Sequence, residues 1–271
     1  MPNLKYIATM STGFDHIDIE ECKRRHIAVS TVPTYGENTV AEHTFALIFA
    51  ISRRIIESYE RVKEGNFSPI GLTGFDLFGK TLGVIGVGNI GSHVIRIAKG
   101  IGMDVLGFKR TPDPALAQNL GFQFVDIDKL LSESDIITLH LPYNQETNHF
   151  LNEASFAKMK DGVVIINTSR GAIVDTGALL AALKSGKVKA AGLDVLEEEP
   201  LLAEEHELLH ENFAKEELVH VLESHILVNN PNVIITPHNA FNSREALQRI
   251  LKTTEENIYG FLAGTPKNPT Y

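Results

Sequence analysis

Short apolar runs alternate with amphipathic stretches along most of the chain. Leu4–Met10, Ile27–Val32, Thr81–Ile85, Asp104–Phe108, Phe122–Val125, Ile136–Leu139, Val163–Asn167, Ala190–Val195 and Val233–Thr236 read as strands. Ile17–Arg25, Leu116–Leu120, Lys129–Leu131, Leu151–Met159 and Thr176–Lys184 read as helices, as does the segment that ends near Ile101. Ser243–Leu262 is predicted as a terminal helix, capped by Ser243 and closed by Gly264 and Pro266. From Asn38, placed as an N-cap, to Val62 the pattern predicts one long helix ending near Gly65. Its apolar residues Val40, Phe45, Leu47, Ile48, Phe49, Ile51, Ile55 and Ile56 wrap more than one face, which points to burial on several sides. Alternating strands and helices predict an α/β protein with a doubly wound parallel sheet.

The turn-rich stretch Phe67–Gly79 reads as a linker. Only about two strand–helix units precede it, fewer than a freestanding α/β lobe needs, so the first lobe is expected to be incomplete.

Composition narrows the function. With 43% hydrophobic residues in 271, the chain has enough apolar material for a large core. A net charge of −9 disfavours nucleic acid and anionic membranes as partners. The lone Cys22 has no internal disulfide partner, and Met1–Lys5 does not begin a signal peptide, so a cytoplasmic location is expected. Thr44–Ile51 is apolar but too short to span a bilayer.

The chemistry sits at strand ends. Gly86-Val87-Gly88-Asn89-Ile90-Gly91 follows one strand and opens a helix, the context in which G-x-G-x-x-G binds a dinucleotide. Gly86 permits the tight turn, Gly88 lets the backbone approach a pyrophosphate, and Gly91 allows close helix–strand packing. The next strand should end in an acid for the adenosine ribose; instead Phe108 is followed by Lys109 and Arg110. Two cations there suit a 2′-phosphate and favour NADP(H) over NAD(H). The other reading is a solvated pair beside NAD(H). Arg170 follows the apolar run Val163–Asn167, where a guanidinium can grip a carboxylate bidentately. Glu197, Glu198 and Glu199 form a charge run among which composition does not choose, and His238 follows the last strand. His206-Glu207-Leu208-Leu209-His210 matches the H-E-x-x-H zinc pattern, but Glu197–Glu223 carries ten glutamates. That segment reads as an acidic, solvated insertion, and no metal is expected.

Together these segments resemble the D-isomer-specific 2-hydroxyacid dehydrogenases, from Leu4 to the C-terminus. The marks are Met159–Gly162 running into Asn167–Asp175, then Gly192–Pro200, then Thr236-Pro237-His238. The resemblance implies a Rossmann-type sheet plus an incomplete flavodoxin-like substrate lobe. Its expected organisation is residues 1–66 as a partial substrate domain with an interdomain helix, 67–242 as the NAD(P)-binding domain, and 243–271 as a helix returning to the substrate domain. It implies Arg170, Glu199 and His238 as the catalytic set, choosing the glutamate directly before Pro200. Glu199 would hold the imidazole and favour its charged form. Within the family the chain is most similar to the D-lactate dehydrogenase branch. That likeness implies backbone amides of Thr12 and Gly13 on the substrate carboxylate, and Tyr35 as a further substrate contact. It also implies His140, Leu141, Pro142, Thr168, Ser169 and Asp194 on the cofactor, and a homodimer with the Asn38–Val62 helix at its interface. Three features depart from the family: Lys109 in place of the acid, a long stretch between Glu199 and His238, and a late start. Two other readings stay open, a nucleotide-sensing corepressor-like protein and a shortened homologue that binds nucleotide without turnover.

Overall fold

In the computed structural model the structure describes residues 3–197 and 215–271. The chain forms two compact units, Met1–Thr39 with Phe241–Tyr271, and Val40–Ala240.

The smaller unit contains β1 (Tyr6–Ala8), α1 (Ile19–Arg24) and β2 (Ala28–Ser30). The strands run parallel, with Tyr6 opposite Ala28 and Ala8 opposite Ser30. Asp18 caps α1 by accepting from the Glu21 amide. Cys22, Ile27 and Val29 make a small core.

The larger unit takes most of α2 (Glu37–Ser52), then α3 (Ile55–Lys63), β3 (Thr81–Ile85), α4 (Asn89–Gly100), β4 (Asp104–Phe108) and α5 (Pro114–Leu120). It continues through β5 (Gln123–Phe124), α6 (Ile127–Glu133), β6 (Ile136–Leu139), α7 (Glu153–Lys158) and β7 (Val163–Asn167). It ends with α8 (Thr176–Ser185), β8 (Val188–Leu193), α9 (Lys215–Val228) and β9 (Val233–Ile235). The helix α10 (Arg244–Leu262) belongs to the smaller unit. There the Asn257 amide donates to the Thr31 carbonyl at 2.8 Å, and Phe261 stacks on Tyr6 with ring centroids 4.2 Å apart.

Seven parallel strands form one sheet in the order β5-β4-β3-β6-β7-β8-β9. Two apolar clusters pack on it: one holds Ile85, Ile137, Ile165 and Leu179, the other Leu82, Val84, Val94 and Ile166. Neighbouring residues of one strand enter opposite clusters, which is why the central strands read as continuous apolar runs rather than alternating ones. The doubly wound parallel sheet read from the sequence is thus present.

One expectation is corrected. The single helix from Asn38 to Val62 is two helices: α2 starts at Glu37 and ends at Ser52, and Arg54 takes a left-handed φ of 49° before α3. The cause is tertiary. The Ser52 carbonyl accepts from the Phe75 amide at 2.9 Å, and a Cβ on Gly74 would stand 2.0 Å from that oxygen. The passing chain takes the carbonyl at the break. The glutamate-rich stretch Glu197–Glu223 runs into α9, which packs on α8 and β9 and buries Ser224 and Leu227 just beyond it, while Val219 and Leu222 are exposed. The H-E-x-x-H segment lies outside the described residues.

Candidate active site

The sheet order reverses between β3 and β6, whose first strand feeds α4 through the glycine loop. In open α/β sheets such a switch point opens a crevice at the carboxyl ends of the strands. Gly86 has φ +96°, and a Cβ there would stand 2.4 Å from the His140 carbonyl oxygen. Only glycine keeps both the turn and the close approach of β6. Gly88 is the N-cap of α4 and offers no capping side chain; apart from its chain neighbours, no atom lies within 4 Å of where a Cβ would sit. Open space therefore faces uncapped helix amides, a cradle for a pyrophosphate. Asn89 and Ile90 form the first turn of α4, and Gly91 closes against the Gly86 carbonyl. These residues fit a dinucleotide.

Lys109 and Arg110 are exposed just past the end of β4, where the adenosine end of a dinucleotide would reach. Arg110 pairs with Glu146 at 3.0 Å. His140 leads into Leu141 and Pro142 after β6, and its amide extends the ladder by donating to the Ile85 carbonyl at 2.8 Å. The residue keeps some surface, but both ring nitrogens are buried without a hydrogen-bond partner. Burial lowers its pKa from 6.5 to about 3, so the ring is neutral.

The ladder also continues past the next three strands. The Asp194 amide donates to the Asn167 carbonyl at 2.9 Å, the Thr236 amide to Leu193 at 3.0 Å, and the His238 amide to Asp194 at 2.9 Å. Arg170, Asp194 and His238 thus follow three adjacent strands on one sheet edge. Asn167 shapes the first corner: its Oδ1 accepts from the Ser169 amide at 3.0 Å and hydroxyl at 2.8 Å, and its Nδ2 donates to the Arg170 carbonyl at 2.8 Å. Thr168 meets the Thr44 hydroxyl of α2 at 3.1 Å.

Asp194 is buried, yet its carboxyl is held below the usual range. Burial alone would raise it; hydrogen bonds from His43, Thr236 and the Ala240 and Asn239 amides outweigh that and stabilise the carboxylate. The Asn239 amide lies 3.0 Å from Oδ1 and the Ala240 amide 2.9 Å from Oδ2, so one carboxylate grips the turn that carries His238. His238 itself is exposed and takes a left-handed φ of 50°, a conformation non-glycine residues hold mainly where surrounding contacts enforce it.

Glu199 lies outside the described residues. Its neighbour Glu197 is buried, with Oε1 2.6 Å from His149 Nε2 and Oε2 accepting from the Thr176 amide at 3.0 Å and from its hydroxyl. Glu197 ties the end of the β8 segment to α8. Thr12, Gly13 and Tyr35 belong to the smaller unit. There the Thr12 hydroxyl donates to the Val32 carbonyl at 2.8 Å, and the Tyr35 ring meets Phe241 edge-on at 6.3 Å. Among the described residues no group of three His, Cys, Asp or Glu is placed to hold a metal ion. No described helix is long and apolar enough to cross a membrane.

Residues 45–240 match the profile of the D-isomer specific 2-hydroxyacid dehydrogenase NAD-binding domain. The chain belongs to the D-isomer-specific 2-hydroxyacid dehydrogenase family. It is 42% identical to a D-lactate dehydrogenase of Escherichia coli over 94% of this chain and 75% of that one. It is 38% identical to a glyoxylate reductase of Thermococcus litoralis over 97% of this chain and 75% of that one. A D-lactate dehydrogenase from Aquifex aeolicus, solved with NAD and lactic acid, superposes with a TM-score of 0.87 at 42% identity, covering 98% of this chain and 78% of that one. The family resemblance, the Rossmann-like sheet and the enzyme class, a D-2-hydroxyacid dehydrogenase using NAD(H) or NADP(H), stand on these findings together.

The motif reading passed over His43. On α2 its Nε2 lies 3.0 Å from Thr236 Oγ1 and 3.4 Å from Asp194 Oδ1. The available signal was a histidine set between Ala41 and Phe45 on a helix read as buried on several sides, a place where a polar side chain needs a partner.

Proposed function

We propose that this protein reduces a small 2-keto acid to the D-2-hydroxy acid, with pyruvate preferred and NADP(H) favoured over NAD(H). The observation that carries the reading is the ladder tying Asn167, Asp194 and His238, which sets Arg170 and His238 on one sheet edge with the glycine loop. Arg170 is assigned to grip the substrate carboxylate and to stabilise negative charge growing on the C2 oxygen. The nicotinamide, when bound, supplies a hydride to C2 or accepts one from it. In reduction His238 gives its proton to the C2 oxygen, so the carbonyl becomes a secondary alcohol; in oxidation it takes the proton back. Glu199 is assigned to orient and charge the His238 ring. Thr12, Gly13 and Tyr35 are assigned to substrate, and Thr168, Ser169, Asp194, His140, Leu141 and Pro142 to the cofactor, on the family signature.

Pyruvate is placed first because relatives named D-lactate dehydrogenase are among the most similar; hydroxypyruvate and glyoxylate follow. NADP(H) is favoured because Lys109 stands where an acid would hold the adenosine ribose. Initial rates with NADH and NADPH against a panel of 2-keto acids test both points. NADPH should give the higher kcat/KM, and Lys109→Asp should reverse that order by roughly 10-fold or more. A wild type that prefers NADH removes the Lys109 argument. Nucleotide binding with no turnover on any keto acid favours the sensing or inactive readings instead.

We also propose a homodimer with α2 and α3 at the interface. Phe49, Ile55, Ile56, Tyr59 and Val62 are all exposed on them, an apolar surface that a second copy would cover. Sedimentation equilibrium should return about twice the 29.9 kDa chain mass. A monomer across the micromolar range rules this out.

A further inference from the structure

The ring of His43 is oriented by a proton-counting constraint. The Thr236 hydroxyl donates to Asp194 Oδ1, and that uses its only proton. At 3.0 Å from Thr236 Oγ1, His43 Nε2 must therefore be the donor, and the same N–H faces Asp194 Oδ1 at 3.4 Å. The ring is either the Nε2–H tautomer or the imidazolium; it is not the tautomer with a bare Nε2. Helix α2 thus ends a relay running from His43 through the Thr236 hydroxyl and the Asp194 carboxylate to the amides of Asn239 and Ala240. The amide of His238 is held by the carbonyl of the same Asp194. Nothing else in the relay can replace the donor, because Asp194 only accepts and Thr236 has spent its proton.

The next residue on α2 does the same for the neighbouring strand end. Thr44 is fully buried, donates to the Val40 carbonyl at 2.8 Å, and meets Thr168 at 3.1 Å. Having donated its proton to Val40, Thr44 accepts from Thr168. Consecutive side chains of one helix therefore bind the β7 end, two residues before Arg170, and the β8 and β9 ends that fix His238.

We propose that His43 is a positioning residue for the dehydrogenase reaction. Its Nε2–H holds Thr236 and Asp194 in the arrangement that fixes the left-handed turn of His238, and so sets where the catalytic imidazole stands. This rests on the assignment of His238 as proton donor and acceptor. A displacement of such a group by about an ångström costs up to about 100-fold in rate. His43 itself touches neither substrate nor reacting atoms in this scheme.

The test compares two variants. His43→Phe keeps a ring of similar shape and deletes the donor. His43→Gln keeps an N–H at similar reach. The expected result is a kcat about 10- to 100-fold lower for His43→Phe, with KM for the keto acid and nucleotide affinity within about 2-fold of wild type. His43→Gln should recover most of the loss. Equal melting temperatures for the two variants would exclude a merely structural role. Histidine-side-chain NMR of the nucleotide-free protein supplies a second readout. The His238 ring resonances should move in His43→Phe and return towards wild type in His43→Gln. A kcat within 2-fold of wild type in His43→Phe overturns the proposal, as do losses that are the same in both variants. If the wild type turns over no keto acid, the reading of the reaction fails while the NMR shift still decides the coupling: unmoved His238 resonances in His43→Phe overturn it.

Discussion

Replacing His238 by alanine should lower kcat for keto-acid reduction by about 10²- to 10⁴-fold, the range expected when a positioned general acid is removed. The KM for the keto acid should change far less, because Arg170 stays on its own strand end, shaped by Asn167. The fold should be retained. The His238 side chain is exposed, and backbone contacts pin the turn, through its own amide and through the grip of Asp194 on the Asn239 and Ala240 amides. Alanine at a left-handed φ of 50° does add backbone strain of order 1 kcal/mol. His238→Asn, which tolerates that region better, is therefore the companion variant; both should lose turnover alike. Nucleotide affinity, read by fluorescence titration, should stay near wild type in both. A rate near wild type in either variant would sink the assignment of His238 as the proton donor and leave the family fold without its expected chemistry.

The parts of this site that were legible in the sequence are those where a local pattern has one physical meaning. β7 is buried at all five positions, so an apolar run that stops at Asn167 marks both a central strand and the edge where Arg170 emerges. The glycine loop was legible for the same reason, since a Cβ on Gly86 or Gly91 would stand 2.4 Å from a carbonyl oxygen and Gly88 leaves open space for a ligand. What stayed hidden was tertiary. The break after Ser52 depends on Gly74, more than twenty positions on, crossing a carbonyl that the helix pattern says nothing about. In the run Glu197–Glu199 composition gave the three residues equal standing, yet Glu197 is buried against His149 and Thr176, which only long-range packing decides. His43 was hidden because its meaning lies in where Thr236 sends its proton, almost two hundred residues along the chain.

Acid should destabilise the nucleotide-free protein through His140 before its carboxylates titrate. The folded pKa of His140 is lowered to about 3, whereas an unfolded histidine titrates near 6.5. Above pH 6.5 neither state binds the proton and the residue contributes nothing to pH dependence. Below it the unfolded chain takes up a proton that the folded chain refuses, so stability falls by about 1.4 kcal/mol per pH unit until pH 3. Asp194, with its carboxyl held low, loses its stabilising effect only once pH falls below the unfolded aspartate value of about 3.9. The window between pH 6.5 and 4.5 therefore reports histidines. His140→Leu isolates this one: it removes two buried nitrogens that have no partner, so it should be neutral or stabilising at pH 7.5. Between pH 7.5 and 5.0, urea unfolding should show the wild type losing about 2 kcal/mol more than the variant. Coincident losses would mean that the imidazole titrates normally and is open to water. The effect bears on the fold and leaves the folded site alone, although the His140 carbonyl stands against Gly86. The folded chain keeps the ring neutral down to about pH 3, so that wall of the glycine loop stays in place while the unfolded population grows. Nucleotide affinity of the folded protein should therefore stay level between pH 7.5 and 5.0 while global stability falls, and a parallel fall in affinity would show that the ring charges in the folded state.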